Sequence, residues 1–388
     1  MQAFKLQSAE QLRDFLATDY KLYQVVADEN NNAHWEEANE ETKPEVITEP
    51  LLPQTSTKSL LFSERESLFN FDGEKFVATI PAGEKKVFFG VRACDLVAIG
   101  YQDKFFKADP YYQARRRDTL LVGMDCIKPC ANGFCSAVDA GPAVRENTAD
   151  LILVPPVEPA IISAADKENN QWFLVVGSEQ GLEALNGLAL EKADDNWQQV
   201  RQAIEAETIA AFGDQGVFAD GIAKINQNKV EPEVWQAAGI QCLTCSGCSN
   251  VCPTCSCYAT RDVGSDINGS GMAAERTASV TVKAIKSAAQ SEFTRERFWD
   301  SCLYEGFQKE ASGNNPAEAA GQRVARFWYH KFSEDFVKDF GRYGCVGCGR
   351  CDQVCPGVIG AKSIMTTIAN DSHAKNESAK RIESVFEP

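Results

Sequence analysis

The sequence predicts an α+β chain. A mixed α/β domain covers residues 1–235, a helix-rich domain covers 236–370, and a flexible polar tail covers 371–388. Three observations lead there. First, short apolar, β-prone runs recur in the first half: Val87–Val91, Thr119–Gly123, Leu151–Val154 and Trp172–Val176. Continuous apolar runs of this length suit strands covered on both faces, with helical or loop material between them. Second, the later part of the chain carries apolar and aromatic residues at helical spacing. Third, it carries two cysteine runs of one spacing, Cys242, Cys245, Cys248, Cys252-Pro253 and Cys345, Cys348, Cys351, Cys355-Pro356.

Taken in order, Ser8-Ala-Glu-Gln11 is a capping box that opens a short helix with Leu12, Phe15 and Leu16 on one face. Residues 29–58 are polar, acidic and proline-bearing, and read as exposed loop. The four apolar runs follow. Gly177-Ser-Glu-Gln-Gly181 comes after the last of them and reads as a turn. A helix over Trp197–Phe212 turns Val200 and Ile204 inward, and 213–240 reads as a loop-rich link. In the second part, Asp262–Gly271 reads as a polar loop and 273–290 as an alanine-rich helix. Asn315-Pro316-Ala-Glu318 supplies an N-cap, a first-turn proline and an acid. The helix it opens carries Val324, Phe327, Trp328, Phe332, Phe336 and Phe340 to a stop at Gly341. This aromatic stripe reads as core that shields the second cysteine run.

Each cysteine run has the C-x2-C-x2-C-x3-C-P spacing of bacterial ferredoxins, where three cysteines hold one [4Fe–4S] cluster and the fourth reaches across to another. Deprotonated sulfur suits the iron–sulfur core, and the proline stops the turn from continuing as helix. A single run would leave structural zinc open; two complete runs do not fit the paired units of a zinc site. The first ten residues hold no apolar export segment. Fifteen cysteines then point to metal in a reducing, cytoplasmic compartment rather than to disulfides. The helix-rich part is therefore expected to be a ferredoxin-like dicluster domain with two [4Fe–4S] clusters. Exchange of fourth cysteines assigns Cys242, Cys245, Cys248 and Cys355 to one cluster, and Cys345, Cys348, Cys351 and Cys252 to the other.

The other cysteines divide into two groups. Cys255 and Cys257 read as buried spare thiols or as replacements for an assigned ligand, and Cys302 as a core thiol in a helix. Cys94 follows the run Val87–Val91 and Cys126 follows Thr119–Gly123. If those strands are parallel neighbours, both thiols emerge at the carboxyl edge of the sheet, where open α/β sheets bind ligands. With Cys130 and Cys135 they define a third candidate Fe–S site, and Asp95 is a candidate oxygen ligand. The bland alternative is a group of buried thiols.

A formal charge of −16 argues against nucleic-acid binding. No apolar run approaches the roughly 20 residues of a membrane span, so direct membrane insertion is not expected. The three-glycine dinucleotide fingerprint and the Walker A run are both absent. His34, His330 and His373 are too few and too scattered for a histidine metal site. Arg323, Arg326, His330 and Lys331 form a basic patch, read either as a solvated helix face or as a charge partner for a cluster or a docking subunit. No nucleophile–base constellation is evident, so electron carriage fits better than catalysis.

Several quoted stretches together resemble the beta subunit of soluble sulfhydrogenases, the NAD(P)-linked NiFe hydrogenases. They resemble equally the A subunit of anaerobic sulfite reductase, of the same 4Fe–4S dicluster family. The stretches are Lys58–Phe69, Phe89-Gly-Val-Arg-Ala-Cys94-Asp95, Asp109–Arg116, Gly133-Phe-Cys135, Cys242–Cys257, Arg297–Cys302, His330-Lys-Phe332 and Gly344–Cys351. The resemblance implies an electron-transfer subunit. It would relay electrons between a flavin- and NAD(P)-binding subunit and a hydrogenase Fe–S small subunit, with a NiFe large subunit beyond. One departure stands out: family members often carry cysteine where this chain has Gly133, and Cys130 is the candidate substitute. A redox sensor or structural metal protein is the competing reading of another class.

Overall fold

The computed structural model describes residues 2–38, 44–156, 171–264 and 292–370. The expected helix over 273–290 and the tail over 371–388 lie outside the described residues. In chain order the strands are β1 (Ala3–Leu6), β2 (Lys21–Ala27), β3 (Ala33–Ala38), β4 (Arg65–Phe71), β5 (Phe76–Ala78) and β6 (Lys86–Arg92). They continue as β7 (Thr119–Met124), β8 (Leu151–Val154), β9 (Trp172–Val176), β10 (Glu191–Lys192), β11 (Tyr258–Gly264) and β12 (Phe293–Trp299).

Eight strands form one sheet in the order β10-β1-β9-β8-β7-β6-β2-β3. Its centre, β2-β6-β7-β8, is parallel, and the flanks are antiparallel. The apolar runs behave as strands buried from both sides should. Phe88, Leu121 and Ile152 enter one core, while Val87, Phe89, Leu120, Val122 and Leu151 enter the other. β6 and β7 are parallel neighbours with Arg92 opposite Met124. Cys94 and Cys126 therefore leave the sheet at the same carboxyl edge.

A second sheet, β11-β12-β4-β5, pairs strands from both halves of the chain. A buried charge network secures it. Arg297 on β12 donates to Glu66 on β4 at 2.6–3.0 Å and also pairs with Asp109, while Arg115 reaches Glu66 at 2.7 Å. These residues lie in the quoted Lys58–Phe69, Asp109–Arg116 and Arg297–Cys302 stretches, so part of the resemblance is framework.

Several expectations are corrected. Residues 33–38, expected as loop, form an edge strand because Trp35 packs on Phe88. The segment 213–240 is not a loop-rich link. It holds helices Gly216–Asn226 and Pro232–Gln241, whose Phe218, Ile222, Ile225 and Val234 join the core around the cysteine runs. The helix expected from Asn315 starts at Ala320 and ends at Phe332, while Asn315 caps a local turn by accepting from the Ala317 N–H. Ser333 then turns the chain and caps a second helix, Glu334–Phe340, which stops at Gly341 as expected. Cys302 is buried as expected, but in a turn rather than a helix.

One ion pair joins the two ends of the molecule at the sheet edge. Arg350 donates through both terminal nitrogens to Asp95 at 2.6 and 2.7 Å, and both side chains are 1% exposed. Arg350 also donates to the Pro53 carbonyl at 2.6 Å. Removing one partner from such a pair strands the other charge. Asp95→Ala is expected to cost about 3–5 kcal/mol of stability, read by denaturant unfolding under anaerobic conditions. The double replacement Asp95→Leu with Arg350→Met should recover most of that loss.

Candidate metal centres

The two cysteine runs fold alike. In each, the residue before the second cysteine is left-handed (Thr244, φ 52°; Gly347, φ 63°), and so is the residue after it (Ser246, φ 62°; Gly349, φ 73°). A short helix follows, Gly247–Val251 or Arg350–Val354, and ends at the fourth cysteine, Cys252 or Cys355, in extended conformation. The left-handed residue turns its N–H onto the first sulfur: Thr244 to Cys242 at 3.4 Å and Gly347 to Cys345 at 3.3 Å. In the second run these positions must be glycine for another reason. A Cβ at Gly347 would meet Cys135 at 2.6 Å, and one at Gly349 would run into Asn132. The second run is thus seated on the loop that carries the N-terminal cysteines.

That packing sorts the sulfurs around three cavities. The first is lined by Cys242, Cys245, Cys248 and Cys355, with Leu303, Val324, Phe327 and Trp328 as its apolar wall. The second is lined by Cys252, Cys345, Cys348 and Cys351, with Phe134, Phe327, Trp328 and Lys331. In both, three cysteines of one run meet the fourth cysteine of the other. The third is lined by Cys94, Cys126, Cys130 and Cys135 together with Arg92 and Lys128. Cys248 lines the first and second cavities, and Cys348 the second and third. Among the described residues, no three His, Cys, Asp or Glu side chains converge closely enough to hold a single metal ion. The thiols ring spaces instead.

Gly133 is explained by its neighbour. A Cβ at that position would fall on the Cys130 sulfur. The Cys130 thiol therefore fills the space that a side chain at 133 would need. Asp95 is not free to bind metal, since Arg350 takes both of its carboxylate oxygens.

The electrostatics are those of buried sulfur beside buried cations. Burial pushes the Cys130 thiol up to about 11 and those of Cys248 and Cys345 up to about 12. Thiols held protonated in this way must release protons when they take metal. Cys252 goes the other way: the hydrogen bond from Cys255, aided by Lys331, holds it well below the ordinary thiol value. Burial alone would lower Lys331, but the neighbouring Cys252 and Cys255 hold its ammonium well above its usual value. The basic patch is therefore only partly a solvated face, with Arg326 exposed. Arg323 and Lys331 are buried, and burial pushes His330 down to about 4. Arg92 is buried too, and its Nη1 has no hydrogen-bond partner among the described protein atoms. Arg342 ties the third cavity to the second by donating to the carbonyls of Val138, Asp139 and Cys345 at 3.1–3.3 Å. Arg92 and Arg342 were not singled out from the sequence. Arg92 stands in the quoted Gly-Val-Arg-Ala-Cys stretch, two residues before Cys94, and that adjacency was the available signal. Cys255, Cys257 and Cys302 line none of the three cavities; Cys255 contacts Cys252, and Cys257 contacts Cys302.

Fold and thiol geometry define an iron–sulfur protein, and comparison with known proteins agrees. Residues 276–359 match the 4Fe-4S dicluster domain, a stretch that contains the second cysteine run. The chain is similar to Sulfhydrogenase 2 subunit beta of Pyrococcus furiosus, at 26% identity over 317 residues, which is 80% of this chain and 81% of the relative. No solved structure matches. Among the described residues no helix is long and apolar enough to cross a membrane. The chain is an iron–sulfur electron-transfer subunit by its domain and its relative.

The overlap of Cys130 with position 133 gives a direct test. Cys130→Ala should lower iron from about twelve to about eight atoms per chain. Adding Gly133→Cys to that variant should restore the difference, because the new thiol enters the vacated space. Iron analysis of the anaerobically purified variants reads both outcomes.

Proposed function

We propose that this chain is the electron-transfer subunit of a cytoplasmic, NAD(P)-linked NiFe hydrogenase of the sulfhydrogenase type. It relays electrons between a flavin- and NAD(P)-binding subunit and the hydrogenase Fe–S small subunit, with the NiFe large subunit beyond. The observation that carries this reading is the row of three four-cysteine cavities, joined by the shared wall residues Cys248 and Cys348. One [4Fe–4S] cluster is assigned to Cys242, Cys245, Cys248 and Cys355, and a second to Cys345, Cys348, Cys351 and Cys252. A third is assigned to Cys94, Cys126, Cys130 and Cys135, where the unpartnered Nη1 of buried Arg92 favours an anionic occupant. When bound, such a cluster supplies a one-electron redox couple.

The protein's part is to hold and insulate. Phe327 and Trp328 stand in the walls of both the first and second cavities and exclude water between them. Backbone N–H groups of Thr244, Gly347, Ile359 and Ala361 donate to the sulfurs of Cys242, Cys345, Cys355 and Cys351 at 3.3–3.5 Å. Such bonds stabilise thiolate charge and are one of the levers on potential. Lys58 donates to the carbonyls of Ser249 and Asn250 at 3.3 and 3.0 Å, pinning the end of the first run's helix. The name of the similar protein favours a hydrogenase over a sulfite reductase. A sensor needs one site, whereas three in a row suit conduction.

The native complex, purified without oxygen, should contain nickel, reduce dyes with hydrogen and hold about twelve irons per copy of this chain. Sirohaem in place of nickel would favour the sulfite reductase reading. In the Cys252→Ser variant, EPR should show loss of the cluster at Cys345, Cys348 and Cys351, with the first cluster intact. Loss of the first cluster alone would overturn the crossed assignment.

A further inference from the structure

The second cavity holds a charge that the relay does not explain. Lys331 sits in its wall and is 4% exposed. Its Nζ donates to the Thr254 hydroxyl at 2.8 Å and lies 5.7 Å from the Phe327 ring; neither partner carries charge. Thr254 Oγ1 in turn donates to the Gly344 carbonyl at 2.5 Å and stands 3.3 Å from the Cys252 sulfur. Lys58, also 4% exposed, repeats the pattern. Its ammonium is held by two carbonyls and by the Trp299 ring at 3.8 Å. An ammonium buried among neutral groups is costly unless an anion lies within reach. Cys252, whose sulfur shares Thr254 Oγ1 with Lys331, stands next to it. The first cavity is different: its wall is cysteine, hydroxyl, glycine, proline and apolar side chains, with no cation.

We propose that Lys331 is a positioning charge that lifts the reduction potential at the second cavity above that at the first. An electron at the first cavity is then drawn on to the second. The physical basis is simple. Taking up an electron adds negative charge to a site where the dielectric is low, and a fixed cation stabilises the reduced form more than the oxidised one. The inference rests on the relay proposed above.

The test uses the full chain, purified anaerobically, with iron analysis and EPR-monitored redox titration. Loss of a signal in Cys345→Ser identifies the second site. Lys331→Met should keep its iron and shift that signal alone to lower potential. Lys331→Gln, which keeps a donor for Thr254 but no charge, should shift it the same way if the methionine variant does not fold. Lys331→Arg should restore the wild-type midpoint. Unchanged midpoints in a fully loaded Lys331→Gln variant would overturn the inference, as would a shift confined to the first site. A wild-type chain that carries no iron would instead remove the relay itself.

Discussion

The structure depends on one exchange: Cys252 and Cys355 each finish a short helix with the sulfur in the other run's cavity. Neither cavity can be completed by one run alone. The long chain between the runs is therefore a closed loop, and its helix Ala320–Phe332 is trapped against both cavities through Phe327 and Trp328. Helices from the first half are drawn into the same core. Gly216–Asn226 and Pro232–Gln241 contribute Phe218, Ile222, Ile225 and Val234 to it. The glycines at 347 and 349 extend the logic by letting the second run lie flat on the loop around Cys135. The third cavity exists because the second run is seated there.

A chain with a formal charge of −16 nevertheless buries several cations near its cysteines. Arg92, Lys58 and Lys331 are each about 4% exposed, and Arg350 is 1% exposed. Of these, Arg350 is neutralised by Asp95. The other three are satisfied mainly by carbonyls, hydroxyls and rings, so their counter-charge must be thiolate or the group the thiolates hold. The net acidity is thus a surface property, and it says little about the electrostatics of the interior.

Much of this could be read in advance, for identifiable reasons. The four apolar runs were strands because residues buried on both faces leave no room for another reading. The positions of Cys94 and Cys126 followed once β6 and β7 were taken as parallel neighbours. The cysteine spacing suggests the crossed grouping, and the cavity linings bring those thiols near one another, with Cys248 and Cys348 each shared between two cavities. What stayed hidden depended on distant partners. The two helices in 213–240 read as a linker from sequence because their modest apolar stripes make sense only against the later helices. The break at Ser333 was masked by aromatics that keep helical phase across it. Arg342 carries no local mark, since its partners are carbonyls two hundred residues away in sequence or beside Cys345. Lys331 reads from sequence only as one of four basic residues, and its place in the wall of the second cavity sets it apart.

The distribution of those cations follows from where water can act. At the first cavity, Cys245 is exposed and solvent can screen the charge of whatever the thiols hold. A buried cation there would gain little, and none is built. The second cavity lies behind Phe327 and Trp328, between the first cavity and the third, and screening must come from the protein itself. Lys331 supplies part of it, and the Gly347 and Ala361 amides, which donate to the Cys345 and Cys351 sulfurs, supply more. The third cavity, at the sheet edge beneath Phe212, is served by Arg92. The order of the cavities and the placement of the charges thus go together: the first cavity's wall holds no cation, while the second holds Lys331 and the third Arg92 and Lys128.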